Sequence, residues 1–222
     1  MIFSDHDDYF IQGALKQIME QIKAKEEFNE ILFTPFYKQT QDGERQEMPI
    51  NAGWTHGKIF NRENFWKKYN LHYPKDLTSH EDVALCTQLD YIRSTYNLEY
   101  YVLTIPFYVW IENPNSLSNK KYVKESKERV FLDAFLIDYM DSTAGVGCDC
   151  YFNNNKKGAD WAKFNLLNVI MYSYFYSEFA LDNTPEYMKK NYDHIRYYLE
   201  IAKNEFGCTI EDIYYHFKYD DK

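Results

Sequence analysis

Apolar side chains recur at every fourth position near the start of the chain. Phe10, Ala14, Ile18 and Ile22 form one stripe, which predicts an amphipathic helix over residues 9–25. Residues 31–37 are rich in β-forming side chains, and Asp42-Gly43 marks a turn before residues 47–50. This second segment therefore predicts a hairpin with a polar tip.

The middle of the chain continues to alternate between strand and helix patterns. Residues 57–60 predict a short strand or turn before a helix at 62–68, and residues 81–96 predict a further helix. Residues 99–110 are strongly β-prone. We therefore expect a mixed α/β region over residues 1–118. Seven of its apolar residues are expected to be substantially buried: Trp54, Phe60, Val83, Leu85, Leu89, Val102 and Ile105.

Beyond residue 118 the pattern becomes helical. Residues 119–141 predict a long helix, and three more helices are expected at 159–181, 185–206 and 210–217. Residues 144–157 are expected to form a loop, because this stretch holds two glycines and three consecutive asparagines. Residues 119–222 are thus predicted to be an α-helical C-terminal region.

Charge and composition narrow the classes of function. The 222 residues include 25 basic and 34 acidic side chains, a formal net charge of −9, which argues against a nucleic-acid footprint and against adhesion to an anionic membrane. The most apolar stretch, residues 161–181, is interrupted by polar residues and predicts a buried helix, with no transmembrane segment expected. Four irregularly spaced cysteines and no visible signal peptide predict a cytoplasmic protein with reduced thiols.

An acidic run, Asp5-His6-Asp7-Asp8, follows the apolar start of the chain. Carboxylates two positions apart in a turn can converge on one divalent cation, and Mg²⁺ or Mn²⁺ takes one or two carboxylates together with substrate phosphates. The alternative is that Asp7 or Asp8 caps the following helix. By itself, this run leaves both interpretations open.

Two further segments combine groups that could bind a ligand. Residues 53–62 hold two glycines with Trp54, His56, Lys58 and Arg62, which suits a pocket wall for an anionic or sugar-bearing ligand, or else a turn with a buried indole. Residues 79–83 place a Glu-Asp pair at a helix start, where acids are also ordinary capping residues.

The order of these segments resembles that of the family-2 glycosyltransferases of the GT-A fold. Asp5-His6-Asp7-Asp8 is similar to their Asp-x-Asp motif, Gly57-Lys58-Ile59-Phe60 with Arg62 to a Gly-Lys-aromatic segment, and Glu81-Asp82-Val83 to a Glu-Asp-Val helix start. Ile105-Pro106-Phe107-Tyr108-Val109-Trp110, followed by Ser116, is similar to their Pro-x-Tyr strand. The resemblance covers roughly residues 1–118 and implies a partial GT-A domain.

The resemblance also implies roles for single residues. Asp5 and Asp7 would hold Mn²⁺ or Mg²⁺ on the diphosphate of a nucleotide-sugar donor, with Asp8, Lys58 and Arg62 in support. Asp82 would act as general base on an acceptor hydroxyl in an inverting transfer, and Glu81 would lie at the acceptor site or hold Asp82 in place. Trp54, His56 and His80 are the residues assigned to binding the acceptor, a glycan or another hydroxyl compound.

One departure from the family keeps alternatives open. The family places several β-α units, which bind the nucleoside, before its Asp-x-Asp motif, whereas four residues precede Asp5 here. The expectation is a truncated form, a form completed by a partner chain or a second copy, or one that has lost catalysis. The main alternative is a non-catalytic carbohydrate- or protein-binding module, and a metal-dependent hydrolase is a third possibility.

Overall fold

A computed structural model describes residues 1–24, 31–50, 54–74, 77, 80–113, 137–179, 185–213 and 215, with the side chains of 175–179 and 185–188 left aside. The chain forms two compact units. The first comprises Met1–His72 and Leu98–Lys121, and the second comprises Tyr73–Asn97 and Tyr122–Lys222. The sequence predicts a division after residue 118, close to the last of these boundaries, but residues 73–97 are grouped with the C-terminal unit.

The first unit is a mixed α/β structure with two small sheets. Its elements are β1 (Tyr9–Phe10), α1 (Ala14–Ala24), β2 (Ile31–Phe33), β3 (Phe36–Gln39), β4 (Arg45–Met48), β5 (Lys58–Phe60), a π-helical turn (Arg62–Lys67), β6 (Tyr101–Val102) and β7 (Tyr108–Ile111). One sheet has the order β1-β7-β3-β4, with β7 antiparallel to β1 and parallel to β3. The other has the order β5-β2-β6, with β2 antiparallel to β5 and parallel to β6.

The core of the first unit explains the apolar stripe at its start. Ala14 and Ile18 on α1 are buried and pack with Phe36 and Phe107. The helix begins at Ala14 rather than at Tyr9, because the backbone of Tyr9–Phe10 pairs with β7 instead. The predicted hairpin is confirmed in part by the antiparallel pairing of β3 with β4, whereas Ile31–Phe33 of its predicted first strand belongs to the other sheet.

The second unit is built from helices. It contains α2 (Glu81–Tyr96), a π-helical turn (Asp141–Gly145), α3 (Val146–Asn153), α4 (Ala159–Phe179) and α5 (Pro185–Phe206). Its core includes Met140, Leu166, Ile170, Ile195 and Ala202. The predicted helices at 81–96, 159–181 and 185–206 are confirmed, and of the one at 119–141 only residues 137 onward are described.

The predicted loop at 144–157 is wrong, since most of this stretch is helical. The asparagines do end α3, but the glycines lie within the helical segment, where they permit close packing. A Cβ atom on Gly145 would lie 2.9 Å from the hydroxyl oxygen of Tyr198, and one on Gly147 would press against the amide of Asn165. Glycine is therefore required here by the neighbouring helices and not by a turn.

Of the seven residues with predicted burial, three are buried, three are partly buried and one is exposed. Phe60, Leu85 and Leu89 are buried, as predicted. Trp54, Val83 and Ile105 are partly buried. Val102 is 48% exposed, so its predicted burial is wrong. It lies in β6, the edge strand of the β5-β2-β6 sheet among the described residues, and both residues of β6 are exposed.

Two further findings concern membranes and thiols. Within the described part of the chain, no helix has the length and the apolar character needed to cross a bilayer. All four cysteines are free thiols, and Cys86, Cys148 and Cys208 are buried in the second unit. The prediction of reduced cysteines without a disulfide framework agrees with this arrangement.

Candidate functional site

Three potential metal ligands meet in the first unit. Asp5, Asp8 and His56 each offer one ligand atom, and these atoms all lie within 4.8 Å of one another. A tight turn brings the two aspartates together, since the backbone N–H of Asp8 donates to the carbonyl oxygen of Asp5 at 3.3 Å. Asp7 is exposed and outside the cluster, its carboxylate 3.9 Å from His6. The cluster thus combines one residue of the predicted metal pair with Asp8 and His56.

Strand β7 holds the carboxylate of Asp8 in place. The phenol of Tyr108 donates to its Oδ2, and the backbone N–H of Ile111 donates to its Oδ1 at 2.8 Å. Burial of the half-buried carboxyl raises the pKa of Asp8, while these two hydrogen bonds oppose that change. Burial and the hydrogen bond to Asp8 also raise the pKa of Tyr108, which stays a neutral donor.

The His56 imidazole lies among aromatic rings. Its centroid is 5.4 Å from those of Phe36 and Tyr108 and 5.8 Å from that of Trp110. Its Nδ1 atom is buried and has no hydrogen-bond partner among the described residues. Burial lowers the pKa of His56, against the opposing influence of Asp8 and Asp5. A neutral imidazole nitrogen is the form that binds a metal ion.

A glycine fixes the backbone that carries His56. Gly57 has a φ of +71°, and a Cβ atom there would collide with the carbonyl oxygen of Thr34. The carbonyl oxygen of Gly57 accepts a hydrogen bond from the N–H of Thr34 at 2.8 Å. This close approach of two backbone segments determines where the chain enters β5.

The donor set fits a divalent cation. Two carboxylates and an imidazole supply three ligands, and the remaining positions of a six-coordinate ion would go to water or phosphate oxygens. Carboxylates suit both Mg²⁺ and Mn²⁺, while an imidazole ligand shifts the preference towards Mn²⁺. The Nδ1 of His56 is a buried nitrogen without a hydrogen-bond partner among the described residues, and the hydrogen bonds of the protein leave it unexplained.

The other predicted residues of the first unit have different environments. Lys58 is 1% exposed, and its ammonium lies 5.1 Å from the ring centroid of Phe33. Arg62 is exposed and 3.9 Å from the carboxylate of Glu63. Trp54 is partly buried, with its ring 6.2 Å from that of Trp110. Lys58 is therefore part of the interior, and its charge contributes to the lowered pKa of His56.

The predicted catalytic residues belong to the second unit. Glu81 and Asp82 lie in the first turn of α2, and the Oδ1 of Asp82 accepts from the backbone N–H of Val83 at 2.8 Å. His80 precedes the helix with a φ of +61°, and its ring lies 5.7 Å from that of Tyr139. The role of Asp82 as general base stays a prediction. Gly53, Ser79 and Ser116 lie outside the described residues.

The sequence predicts neither the proximity of His56 to Asp5 and Asp8 nor the contact between Tyr108 and Asp8. The signals available were the position of His56 just before Gly57-Lys58 and the presence of Tyr108 in the Pro-x-Tyr segment. Comparison with protein-family models, with curated proteins and with solved structures finds no match for this chain. The chemistry of the site therefore carries the functional argument.

Proposed function

We propose that this chain binds Mn²⁺ through Asp5, Asp8 and His56 and acts as the catalytic and acceptor part of a nucleotide-sugar-dependent glycosyltransferase. The observation that carries the proposal is the convergence of three ligand atoms within 4.8 Å from segments about 50 residues apart. The donor is a nucleotide sugar, and the acceptor is a glycan or another hydroxyl compound.

The arrangement of the first unit supports this proposal. Three of the four segments that resemble the glycosyltransferase family meet there: the acidic run, the segment around Gly57-Lys58, and the Pro-x-Tyr strand. Tyr9, directly after the acidic run, is paired with Val109 of β7. Tyr108 of the same strand donates to Asp8. A shared location is what a common role would require of segments so far apart in the chain.

In the proposed reaction, Asp5, Asp8 and His56 would hold the cation, and Lys58, whose charge acts on His56, would add positive charge to the site. The bound ion supplies charge stabilisation for the departing nucleoside diphosphate. The carboxylate of Asp82 accepts the proton of the acceptor hydroxyl, whose oxygen forms a bond to the anomeric carbon as the bond to the diphosphate breaks. Glu81, exposed beside Asp82, orients the acceptor.

A second candidate rests on the aromatic residues near the cluster. Trp54 and Trp110 are both partly buried, with ring centroids 6.2 Å apart. Paired indole rings suit the apolar face of a sugar, so a carbohydrate-binding module without catalysis is the alternative. In that case, Asp8 would serve only to tie the N-terminal segment to β7.

Calorimetry with a nucleoside diphosphate distinguishes the two. We expect UDP or GDP to bind the full chain with Mn²⁺ and to lose that binding with EDTA. His56→Gln should weaken Mn²⁺-dependent binding by about tenfold or more. The matched control is His72→Gln, since His72 is exposed and its Nδ1 lies 2.9 Å from the carbonyl oxygen of Asn70. Nucleotide binding that is equal with and without Mn²⁺ would overturn the proposal.

A second assay addresses catalysis. Sugar transfer and release of nucleoside diphosphate would be followed for a panel of nucleotide sugars in the presence of Mn²⁺. Transfer that requires Mn²⁺ supports the glycosyltransferase. Binding of oligosaccharides without any nucleotide requirement or turnover supports the carbohydrate-binding module instead.

A further inference from the structure

Two indole rings and an imidazole lie side by side in the first unit. The ring centroid of Trp110 on β7 is 6.2 Å from that of Trp54 and 5.8 Å from that of His56. Both tryptophans are partly buried, so each keeps some surface open to solvent. We refer to Trp54 and Trp110 as the indole pair. Since His56 is one of the three residues whose ligand atoms converge, the indole pair borders the candidate metal centre.

An ion pair lies next to Trp110. The ammonium of Lys38 is 2.7 Å from Oε1 of Glu112 and 5.4 Å from the ring centroid of Trp110. Lys38 is directly opposite Trp110 in the pairing of β3 with β7. Glu112 follows two residues after Trp110, and its backbone N–H donates to the carbonyl oxygen of Gln39 at 2.8 Å, which continues the ladder. Side chains two apart along a strand share a face, so the sheet itself places the ion pair beside the indole.

This ion pair is more shielded from water than another of the same kind in the first unit. The side chains of Lys38 and Glu112 are 27% and 30% exposed. Those of Lys67 and Glu63, whose charged atoms are 2.8 Å apart, are 52% and 62% exposed. An ammonium has three donors and a carboxylate has two acceptor oxygens, and the contact between Lys38 and Glu112 uses one of each. The pair therefore keeps hydrogen-bonding capacity at a position that is only partly hydrated.

The charges of Lys38 and Glu112 balance, so the pair favours an uncharged ligand over an anion or a cation. A wholly apolar ligand would cover two ions without offering them hydrogen bonds, which is unfavourable. A hydroxyl group both donates and accepts hydrogen bonds, and it therefore matches an ammonium beside a carboxylate. A small uncharged molecule with several hydroxyls fits the pair best.

The indole pair supplies an apolar surface next to these polar groups. Aromatic rings pack against the CH groups on the face of a sugar ring, while the hydroxyls of that sugar lie around its edge. A sugar on Trp110 would bring its edge hydroxyls within reach of Lys38 and Glu112, because the ammonium is 5.4 Å from the indole centroid. The two parts of this surface thus fit the two parts of one ligand.

We propose that the indole pair, Lys38 and Glu112 form a subsite for one uncharged sugar ring. The face of the ring contacts the indole pair, Lys38 donates hydrogen bonds to the ring hydroxyls, and Glu112 accepts from them. The inference rests on the proposed function, because it places a sugar of that reaction beside the metal ion. Asp5, Asp8 and His56 are not part of the subsite, so its residues can be changed without removing a metal ligand.

The test follows the indole N–H signals of the full chain by NMR during titration with methyl glycosides of glucose, galactose, mannose and N-acetylglucosamine. We expect at least one glycoside to shift the Trp110 signal in a saturable manner. Trp66, in the π-helical turn of the first unit, and Trp161, on α4, are internal controls whose signals should stay unchanged. 2-Methoxytetrahydropyran keeps the ring without the hydroxyls and should not bind. Equal binding of that compound would overturn the proposal.

A second titration uses the UDP derivatives of these sugars with Mg²⁺, which is diamagnetic and suits NMR. A shift of Trp110 by a free glycoside assigns the subsite to the acceptor, and a shift by a UDP sugar beyond that of UDP assigns it to the donor. No such shift with any sugar would rule the subsite out, even where UDP binding depends on the metal ion. UDP binding that does not depend on the metal ion would instead contradict the proposed function and leave a glycoside shift as support for the subsite.

Matched variants test the ion pair. Lys38→Met keeps the aliphatic stem and removes the ammonium, and Lys67→Met makes the same change in the exposed pair with Glu63. Lys38→Met and Glu112→Gln should each weaken binding of the sugar that shifts Trp110 by about tenfold, since hydrogen bonds to charged groups are lost. Lys67→Met should weaken it by less than about twofold. Equal effects of Lys38→Met and Lys67→Met would overturn the assignment of hydroxyl recognition to this ion pair.

Discussion

The phenol of Tyr108 donates a hydrogen bond to the carboxylate of Asp8, which lies 100 residues earlier in the chain. The same phenol oxygen accepts from the backbone N–H of Asp5 at 3.3 Å. One side chain of β7 therefore contacts both aspartates of the candidate metal centre. This contact is the link between the acidic run and the Pro-x-Tyr segment.

Replacing Tyr108 by Phe removes the donor to Asp8 and the acceptor of the Asp5 backbone N–H, and it keeps the ring. We expect a loss of about 1–2 kcal/mol in the free energy of unfolding, because Asp8 is half-buried and keeps only the hydrogen bond from Ile111. The pKa of Asp8 should rise further, since the lost hydrogen bond favours the charged carboxylate. Urea unfolding and NMR titration of the Asp8 carboxyl measure the two effects. An unchanged pKa would show that the phenol does not act on Asp8 in solution.

Binding of Mn²⁺ alone tests which aspartates form the centre. Asp8→Asn should reduce affinity by about tenfold or more, because it replaces a ligand oxygen carrying charge. Asp7→Asn should change it by less than about twofold, since Asp7 lies outside the cluster. Electron paramagnetic resonance of free Mn²⁺ provides the measurement. A larger loss of affinity in Asp7→Asn than in Asp8→Asn would instead favour Asp5 and Asp7, the metal-binding pair that the sequence predicts.

The affinity for Mn²⁺ should depend on pH in a defined direction. Binding requires a charged Asp8, whose pKa is raised above 3.8, and a neutral His56, whose pKa is lowered below 6.5. Both groups release their proton as the pH rises, so affinity should increase from about pH 4 and level off before about pH 7. A titration series across this range checks it. Affinity that still climbs steeply above pH 7 would contradict the lowered pKa of His56.

The general base of the proposed transfer can be tested at position 82. Asp82→Asn preserves the shape of the side chain and removes its basicity, so sugar transfer should fall by about 10²–10⁴-fold. Binding of Mn²⁺ and nucleotide should be unaffected, because Asp82 lies on α2 and outside the cluster of ligands. Glu81→Gln is the control and should have a smaller effect. An undiminished rate in Asp82→Asn would exclude Asp82 as the base.

Two glycines with positive φ provide a matched pair for stability. Gly57→Ala should destabilise the first unit by at least about 2 kcal/mol, because a Cβ atom collides with the carbonyl oxygen of Thr34 and the backbone is strained. Gly43→Ala, at a φ of +85° with no atom within 4 Å, should cost about 1 kcal/mol from strain alone. Urea unfolding monitored by tryptophan fluorescence gives both values. Equal losses would mean that the predicted collision relaxes without cost.

Local pattern was sufficient to predict several helices of the second unit. Residues 81–96 are the clearest case, and the structure begins and ends α2 at the same residues. The same reasoning failed at residues 144–157, where Gly145 and Gly147 resemble turn residues. Their role depends on Tyr198 and Asn165, which lie far along the chain, so no local window contains the information.

Only part of the candidate site could be predicted, because the positions of its residues relative to one another depend on contacts that no local pattern contains. Composition and order drew attention to Asp5, Asp8 and His56 separately, but not to their convergence. That convergence depends on a turn at Asp5–Asp8, on the pairing of β1 with β7 and on the backbone contact at Gly57. Each of these is a contact between distant or tightly turned segments, which a pattern along the sequence does not encode.

The buried thiols of the second unit allow the opening of its helices to be followed by the rate of alkylation. Burial raises the pKa of Cys148 and of Cys150 to about 12, and alkylating reagents attack only the thiolate. Cys86, Cys148 and Cys208 lie on α2, on α3 and just after α5, so each reacts when its own part of the unit opens. The three labelling rates, resolved by mass spectrometry, would show whether the helices separate together or one at a time.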